Sequence, residues 1–209
     1  MSIEITKTQY LESFTSNNDR SKRRIFITGA SGSGKSSLWK QLRAKLSEHV
    51  DFPVRLISRP VRQDDDLSEN RHLPIDLFEL WFNEKSIEFF WPKFLPERTE
   101  YYGFEFNENG TVIYGCNNEF LLNVAHLKSH SNLFEKSLII HITCDIEIRK
   151  MRLSERYINQ KISPGEINYR VDSGKGERDL INSSHIIVQN NSTNLLQTTN
   201  NLINLLALS

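Results

Sequence analysis

The chain has 209 residues, room for about one to one and a half ordinary domains, and its hydrophobic share of 38% can bury one substantial core. Lysine plus arginine and aspartate plus glutamate number 26 each, so no global field favours nucleic acid or an anionic membrane, and any anion site must be local. Cys116 and Cys144 lack the spacing of a zinc site or disulfide framework, no apolar run nears the roughly 20 residues that span a bilayer, and the N-terminus lacks a signal-peptide core. A cytoplasmic protein with two free thiols is expected, without nucleic-acid or membrane partners, as a monomer or homodimer.

Residues 1–22 are polar and run into Asp19-Arg20-Ser21-Lys22-Arg23-Arg24, which predicts a frayed or peripheral extension. The domain proper, residues 23–209, opens on the short apolar strand Ile25-Phe26-Ile27-Thr28. A glycine-rich turn follows, then a helix carrying Leu38, Leu42 and Leu46 on one face. Further strands are expected at 54–58, 111–114, 137–143 and 185–188, most of them followed by helical segments; right-handed crossovers would arrange them as a doubly wound parallel sheet.

Between residues 59 and 106 the alternation breaks into an acidic loop, an aromatic-rich helical stretch around 77–90, and a Tyr101-Tyr102-Gly103 turn. This reads as a substrate-binding insertion. The polar segment 157–176, charged and with several glycines, reads as a mobile lid. An Asn-rich run then leads to a C-terminal helix whose Leu195, Leu202 and Leu206 share a face that packs on the sheet.

The strongest motif is Gly29-Ala30-Ser31-Gly32-Ser33-Gly34-Lys35-Ser36, a complete Walker A sequence placed between a strand and an amphipathic helix. Glycines 29, 32 and 34 let the backbone wrap closely, so that successive N–H groups and the helix N-terminus, through Ser37, converge on ATP phosphates. Lys35 would reach the β- and γ-phosphates and Ser36 would ligate magnesium.

Such a loop is shared by kinases, GTPases and motor ATPases. After the second strand come Arg59-Pro60-Val61-Arg62 and Ser68-Glu69-Asn70-Arg71-His72-Leu73, then Tyr101-Tyr102-Gly103. Here the sequence resembles the guanylate-kinase-like superfamily, and the Ser-Glu-Asn-x-His-Leu segment looks most like the ribose 1,5-bisphosphate phosphokinases of phosphonate catabolism. The resemblance implies a three-layer P-loop NTPase sandwich with an acceptor-binding insertion and a lid. It gives Arg59, Arg62 and Tyr102 the acceptor phosphate and places His72 inside the acceptor-side motif. Guanidinium forks pair bidentately with phosphate, and a phenol adds a donor without charge. The chain departs from that phosphokinase at Gly115-Cys116-Asn117-Asn118, where an Asn-x-Ser-Arg segment is usual, and its Arg-Pro-Val-Arg segment is more like guanylate kinase. Guanine-reading carboxylates could come only from Asp64-Asp65-Asp66 or Glu69.

Arg149, Arg152 and Arg156 recur at spacings that share one helical face. The resemblance makes Arg152, Arg156 and Arg170 the lid arginines that clamp the transferring phosphoryl group, with Tyr157 replacing the glycine that commonly follows. Glu147 and Glu155 offer ordinary ion pairs instead. Asp145, after the strand at 137–143, reads as a helix N-cap rather than a magnesium-organising acid. The first carboxylate after the strand at 111–114 is Glu119, which leaves magnesium mainly to Ser36, water and phosphate oxygens. His126 and His130, four apart, lack the carboxylate of a zinc hydrolase and read as solvated helix positions.

These signals lead to a P-loop kinase using ATP and Mg2+ on a small phosphorylated acceptor, with ribose 1,5-bisphosphate converted to 5-phosphoribosyl 1-diphosphate. Guanylate kinase activity, or a guanylate-kinase-like interaction module that has lost catalysis, are the alternatives.

Overall fold

The computed structural model describes residues 2–5, 23–62, 65–84, 87–95, 98–105, 110–118, 120, 137–157, 164–172, 185–191 and 195–206. Asp64, Glu119, His126, His130 and the expected lid apart from Tyr157 and 164–172 lie outside them. In chain order the elements are β1 (Ser2–Ile5), β2 (Arg24–Gly29), α1 (Lys35–Leu46), β3 (Arg55–Ile57), β4 (Asn70–His72), α2 (Ile75–Asn83) and β5 (Ile87–Phe94). There follow β6 (Thr99–Glu105), β7 (Val112–Gly115), β8 (Ser137–Thr143), α3 (Ile146–Tyr157), α4 (Pro164–Asp172), β9 (Ile186–Gln189) and α5 (Leu195–Leu205). The chain divides into two compact units, Met1–Phe52 with Asn109–Ser209, and Pro53–Glu108.

The first unit is built on a sheet of order β1-β9-β8-β2-β7. Strands β9, β8, β2 and β7 are mutually parallel, and β1 joins β9 antiparallel with Ile3 opposite Val188. A parallel strand covered on both faces reads as an unbroken apolar run, and Arg24–Gly29 is buried at every position. Leu38, Leu42 and Leu46 of α1 and Leu202 of α5 close over it with Ile25, Ile27, Ile140 and Val188. Truncating Leu42, which is fully buried, would cost ~2–5 kcal/mol.

The strand at the start of the chain decides between the two forms expected there, frayed or peripheral. Ser2–Ile5 is not frayed: its alternating Ser-Ile-Glu-Ile pattern suits a sheet edge, and it supplies the pairing β9 would otherwise lack on that side.

The second unit holds a separate four-stranded sheet of order β4-β3-β6-β5, in which only β3 and β4 run parallel. Three expectations are corrected here. The strand at 54–58 belongs to this sheet rather than to the parallel core, because it pairs with β4 and β6. The helical stretch ends at Asn83; Ile87–Phe94 is a strand, as its run of Ile, Phe and Trp favours. Tyr101-Tyr102-Gly103 is no turn but the middle of β6, with Gly103 opposite both Leu56 and Phe90.

The period of two along β6 sorts its side chains. Tyr101 packs into an apolar cluster with Leu56, Phe78, Leu73, Trp81 and Phe90. Glu100, Tyr102 and Phe104 take the opposite face, where the ring of buried Trp91 stacks on Tyr102 at 6.0 Å and lies 5.8 Å from Phe104.

Candidate functional site

The glycine-rich loop of the first unit is held by three side chains acting on three successive carbonyls. Arg149 Nε donates to the Ser31 carbonyl at 3.1 Å, Arg152 Nη1 to Gly32 at 3.3 Å, and Asn190 Nδ2 to Ser33 at 2.7 Å. In a trans peptide the carbonyl and the following N–H point in opposite directions. Fixing the Ser31 and Ser33 carbonyls outward therefore turns the Gly32 and Gly34 N–H groups the other way. The Ser33 N–H closes the turn onto the Ala30 carbonyl at 3.2 Å.

Two glycines are required by this arrangement. Gly34, the N-cap of α1, has φ 92°, and a Cβ there would collide with Asn190 Nδ2. Gly32 has φ 82°, and its Cβ would lie 3.1 Å from the Arg149 carbonyl. The first turn of α1 contains no acidic residue, and its N-cap, Gly34, makes no side-chain cap hydrogen bond. An uncapped helix N-terminus beside inward amides fits a polyphosphate, by hydrogen bonding and by the helix dipole. Lys35 is half-buried there, and Ser36 and Ser37 are exposed on the same first turn.

Arg149, only 2% exposed, has its other contacts at the end of α4, where Nη2 donates to the Arg170 and Val171 carbonyls at 3.1 and 3.2 Å. No carboxylate pairs with this buried guanidinium among the described residues, and the helix C-terminal carbonyls it meets carry the negative end of the dipole. Arg152 also reaches Cys144 Sγ at 3.4 Å and the Asn190 carbonyl at 3.3 Å. Of the expected lid arginines, Arg152 thus stands against the loop, Arg156 is exposed on α3, and Arg170 is buried on α4. Asp145 sits where an N-cap should, its carbonyl accepting from the Arg149 N–H at 3.0 Å. Near the end of β2, the Thr28 hydroxyl donates to Asn118 Oδ1 at 3.3 Å, a buried carboxamide just beyond β7. Among the described residues, no three His, Cys, Asp or Glu side chains gather as a metal site.

In the second unit the four residues expected to hold the acceptor come together, but around two carboxylates. Arg59 grips Asp65 with both Nη atoms at 2.6 Å, and the Arg62 backbone N–H donates to the same carboxylate at 2.6 Å. His72 Nδ1 lies 2.7 Å from the Arg59 carbonyl and its Nε2 3.3 Å from Asp65 Oδ2. Glu100, 1% exposed, receives Arg62 Nη2 at 3.1 Å and Arg98 Nε and Nη2 at 2.9 and 2.8 Å on one oxygen. Its other oxygen receives the Tyr102 hydroxyl at 2.6 Å and lies 3.9 Å from Arg59 Nε, a donor without a hydrogen-bond partner among the described residues.

The electrostatics follow from that wiring. Burial acts to raise the pKa of Asp65, but hydrogen bonds from Arg59 and Arg62 and the Arg59 charge prevail and bring it down to about 2. Glu100 behaves likewise: burial opposes its charge, while Tyr102 and Arg98 hydrogen bonds and the nearby guanidiniums hold it below its ordinary value. Burial and the Glu100 charge push Tyr102 up to about 12. Arg59 is held above its ordinary value despite burial, chiefly by Asp65. Near neutral pH the cluster is therefore three guanidiniums, two carboxylates and a neutral phenol.

Glu100, Arg98, Asn190 and the loop-holding role of Arg149 are not legible in the motifs. A usable signal existed for Glu100 alone: it stands two residues before Tyr102, on the same face of a strand.

Together these elements have the α/β fold of P-loop NTPases, a parallel core sheet with a glycine-rich loop between β2 and α1. Within that class, a guanylate kinase from Anaplasma phagocytophilum superposes with a TM-score of 0.61 at 12% identity, covering 90% of this chain and 86% of that one. A shikimate kinase from Bacteroides thetaiotaomicron gives a TM-score of 0.45 at 14% identity over 88% of this chain and 98% of that one. No protein-family model and no curated protein matches the sequence. No described helix is long and apolar enough to cross a membrane.

Proposed function

We propose that this chain is an ATP- and magnesium-dependent phosphotransferase whose acceptor already carries a phosphate, with ribose 1,5-bisphosphate the preferred acceptor. The observation that carries the reading is the loop whose carbonyls are held outward beside an uncapped helix N-terminus. The gathering of Arg59, Arg62, Tyr102 and His72 in the second unit supports the acceptor half.

In this reading the Gly32 and Gly34 amides and Lys35 hold the donor phosphates, and Ser36 supplies a protein oxygen to magnesium, which neutralises phosphate charge when bound. Arg59 and Arg62 orient the acceptor, and Arg152 adds positive charge at the loop. The 1-phosphate oxygen of the acceptor forms the new P–O bond, the γ-phosphoryl group leaves ADP, and 5-phosphoribosyl 1-diphosphate results. A phosphate monoester is already ionised near neutral pH, so no general base is needed, and positioning with charge neutralisation carries the step.

Guanylate kinase activity shares this machinery but needs carboxylates to read the base. Of the carboxylates that could do so, Asp65 is committed to Arg59, and Asp66 holds the Ser68 N–H and hydroxyl at 3.0 and 2.6 Å. ADP release measured side by side with ribose 1,5-bisphosphate, with GMP and without acceptor decides the matter. Turnover with GMP alone would overturn the sugar-phosphate reading, and absence of nucleotide binding in calorimetry with magnesium would reduce the chain to an interaction module.

A further inference from the structure

The donors assigned to the acceptor phosphate are already engaged with a carboxylate of the chain itself. Glu100 is nearly inaccessible, yet it sits where three guanidiniums and a phenol converge. Two oxygens accepting several N–H donors and one O–H at 2.6–3.1 Å satisfy those donors much as phosphate oxygens would. Ion pairing alone does not explain it, because a carboxylate buried among guanidiniums often stabilises a fold no better than apolar side chains in their place.

We propose that Glu100 is a resident anion that occupies the acceptor-phosphate subsite in the ligand-free chain and yields its donors, Arg62 and Tyr102 first, when a phosphorylated acceptor binds. The proposal rests on the acceptor reading above and adds a specificity element to it. Arg98, 41% exposed and supplying two of the contacts, can follow Glu100 outward, whereas Arg59 is fixed by Asp65 and stays. Glu100 thus keeps the cage from retaining ambient phosphate or sulfate. Only a ligand with further contacts of its own repays the displacement, so orthophosphate is refused and a phosphorylated sugar is accepted.

The test is sulfate binding by calorimetry near neutral pH, comparing the wild type, Glu100→Gln, Arg62→Ala and the Glu100→Gln/Arg62→Ala double variant, alongside the acceptor KM of each. Removing one negative charge a few ångströms from the bound anion should tighten sulfate binding by at least about tenfold in Glu100→Gln. The gain should vanish in the double variant, which locates it in this cage rather than at the phosphate loop. If Glu100→Gln does not fold in dilute buffer, recovery of native far-UV signal and two-state unfolding on adding sulfate carries the same meaning, and failure to recover overturns the proposal. Unchanged or weaker sulfate binding in Glu100→Gln, with acceptor KM still raised by Arg62→Ala, leaves the acceptor reading standing and sinks the resident anion. No effect of either substitution on sulfate or on acceptor KM sinks both.

Discussion

Asn190→Ala isolates the carbonyl-holding principle of the phosphate loop. The substitution removes one buried donor, the Nδ2 that reaches the Ser33 carbonyl at 2.7 Å, and leaves the Asn190 main-chain contacts to Thr143 and Arg152 in place. Ser33 is fully buried, so its carbonyl is left without this partner where water does not replace it. The expected cost is ~1–3 kcal/mol. If that cost is relieved by letting the loop leave its binding conformation, nucleotide affinity falls with the competent fraction, by about tenfold to a hundredfold. Calorimetry with a magnesium complex of a non-hydrolysable ATP analogue measures it, and urea unfolding reports the stability change separately. Asn190→Asp keeps the shape but sets oxygen against oxygen, so it should bind nucleotide more weakly than Asn190→Ala. An Asp variant that binds like the wild type while the Ala variant is impaired would show that side-chain volume against Gly34, not the hydrogen bond, sets the loop, and the reasoning would be refuted.

Lys35→Ala should lower kcat/KM by at least about a hundredfold, through loss of a charge-assisted contact of ~3 kcal/mol, with the folded state intact by circular dichroism. In acid, Asp65 has a folded pKa below its unfolded one, so the stability it contributes is present above about pH 4 and is lost as pH falls toward about 2; Glu100, also held below its ordinary value, acts in the same direction. Urea midpoints followed by tryptophan fluorescence should drop over that window, and Asp65→Asn should be less stable at pH 7 but show a shallower acid decline. Tyr102 has the opposite sign: its pKa is raised from 10.0 to about 12, so its contribution is complete below pH 10 and disappears as pH rises through 12. Tyr102→Phe should lose ~1–2 kcal/mol near neutral pH and lack the part of the alkaline decline that accompanies tyrosinate absorbance.

Local chemistry was legible and long-range wiring was not. The phosphate loop could be read because glycine spacing, lysine and the flanking strand and helix all lie within one short segment. The face of α1 followed from the spacing of Leu38, Leu42 and Leu46 alone. Misreadings arose where partners are far apart in sequence. The segment at 54–58 has the composition of any strand, and only its pairing with β6 assigns it to the second sheet. Tyr101-Tyr102-Gly103 looks like a turn because glycine marks turns, yet Gly103 lies between two neighbouring strands in mid-sheet. Asn190 meets a loop carbonyl 157 positions away, and Glu100 meets an arginine 38 positions away. Neither contact has a sequence period to announce it.

On the proposed reading, the two candidate subsites would recognise anions by different physical means, and the difference accounts for their polar residues. The phosphate loop works with peptide dipoles. These are neutral, they keep their orientation without a ligand so long as their carbonyls are held, and the residues needed are therefore donors directed at carbonyls: Arg149, Arg152 and Asn190. A guanidinium cage works with net charge. Buried cations without counter-ions are costly, so the ligand-free cage must carry anions of its own, and their placement decides which guanidinium is fixed and which is exchangeable. Asp65, bidentate to Arg59 and tied to the Arg62 backbone within the same loop, acts as a permanent partner. Glu100 sits on β6 and draws on Arg62, Arg98 and Tyr102, of which Arg62 and Arg98 keep partial access to water. On that distinction, replacing Asp65 should weaken folding and acceptor binding together, whereas replacing Glu100 should separate them.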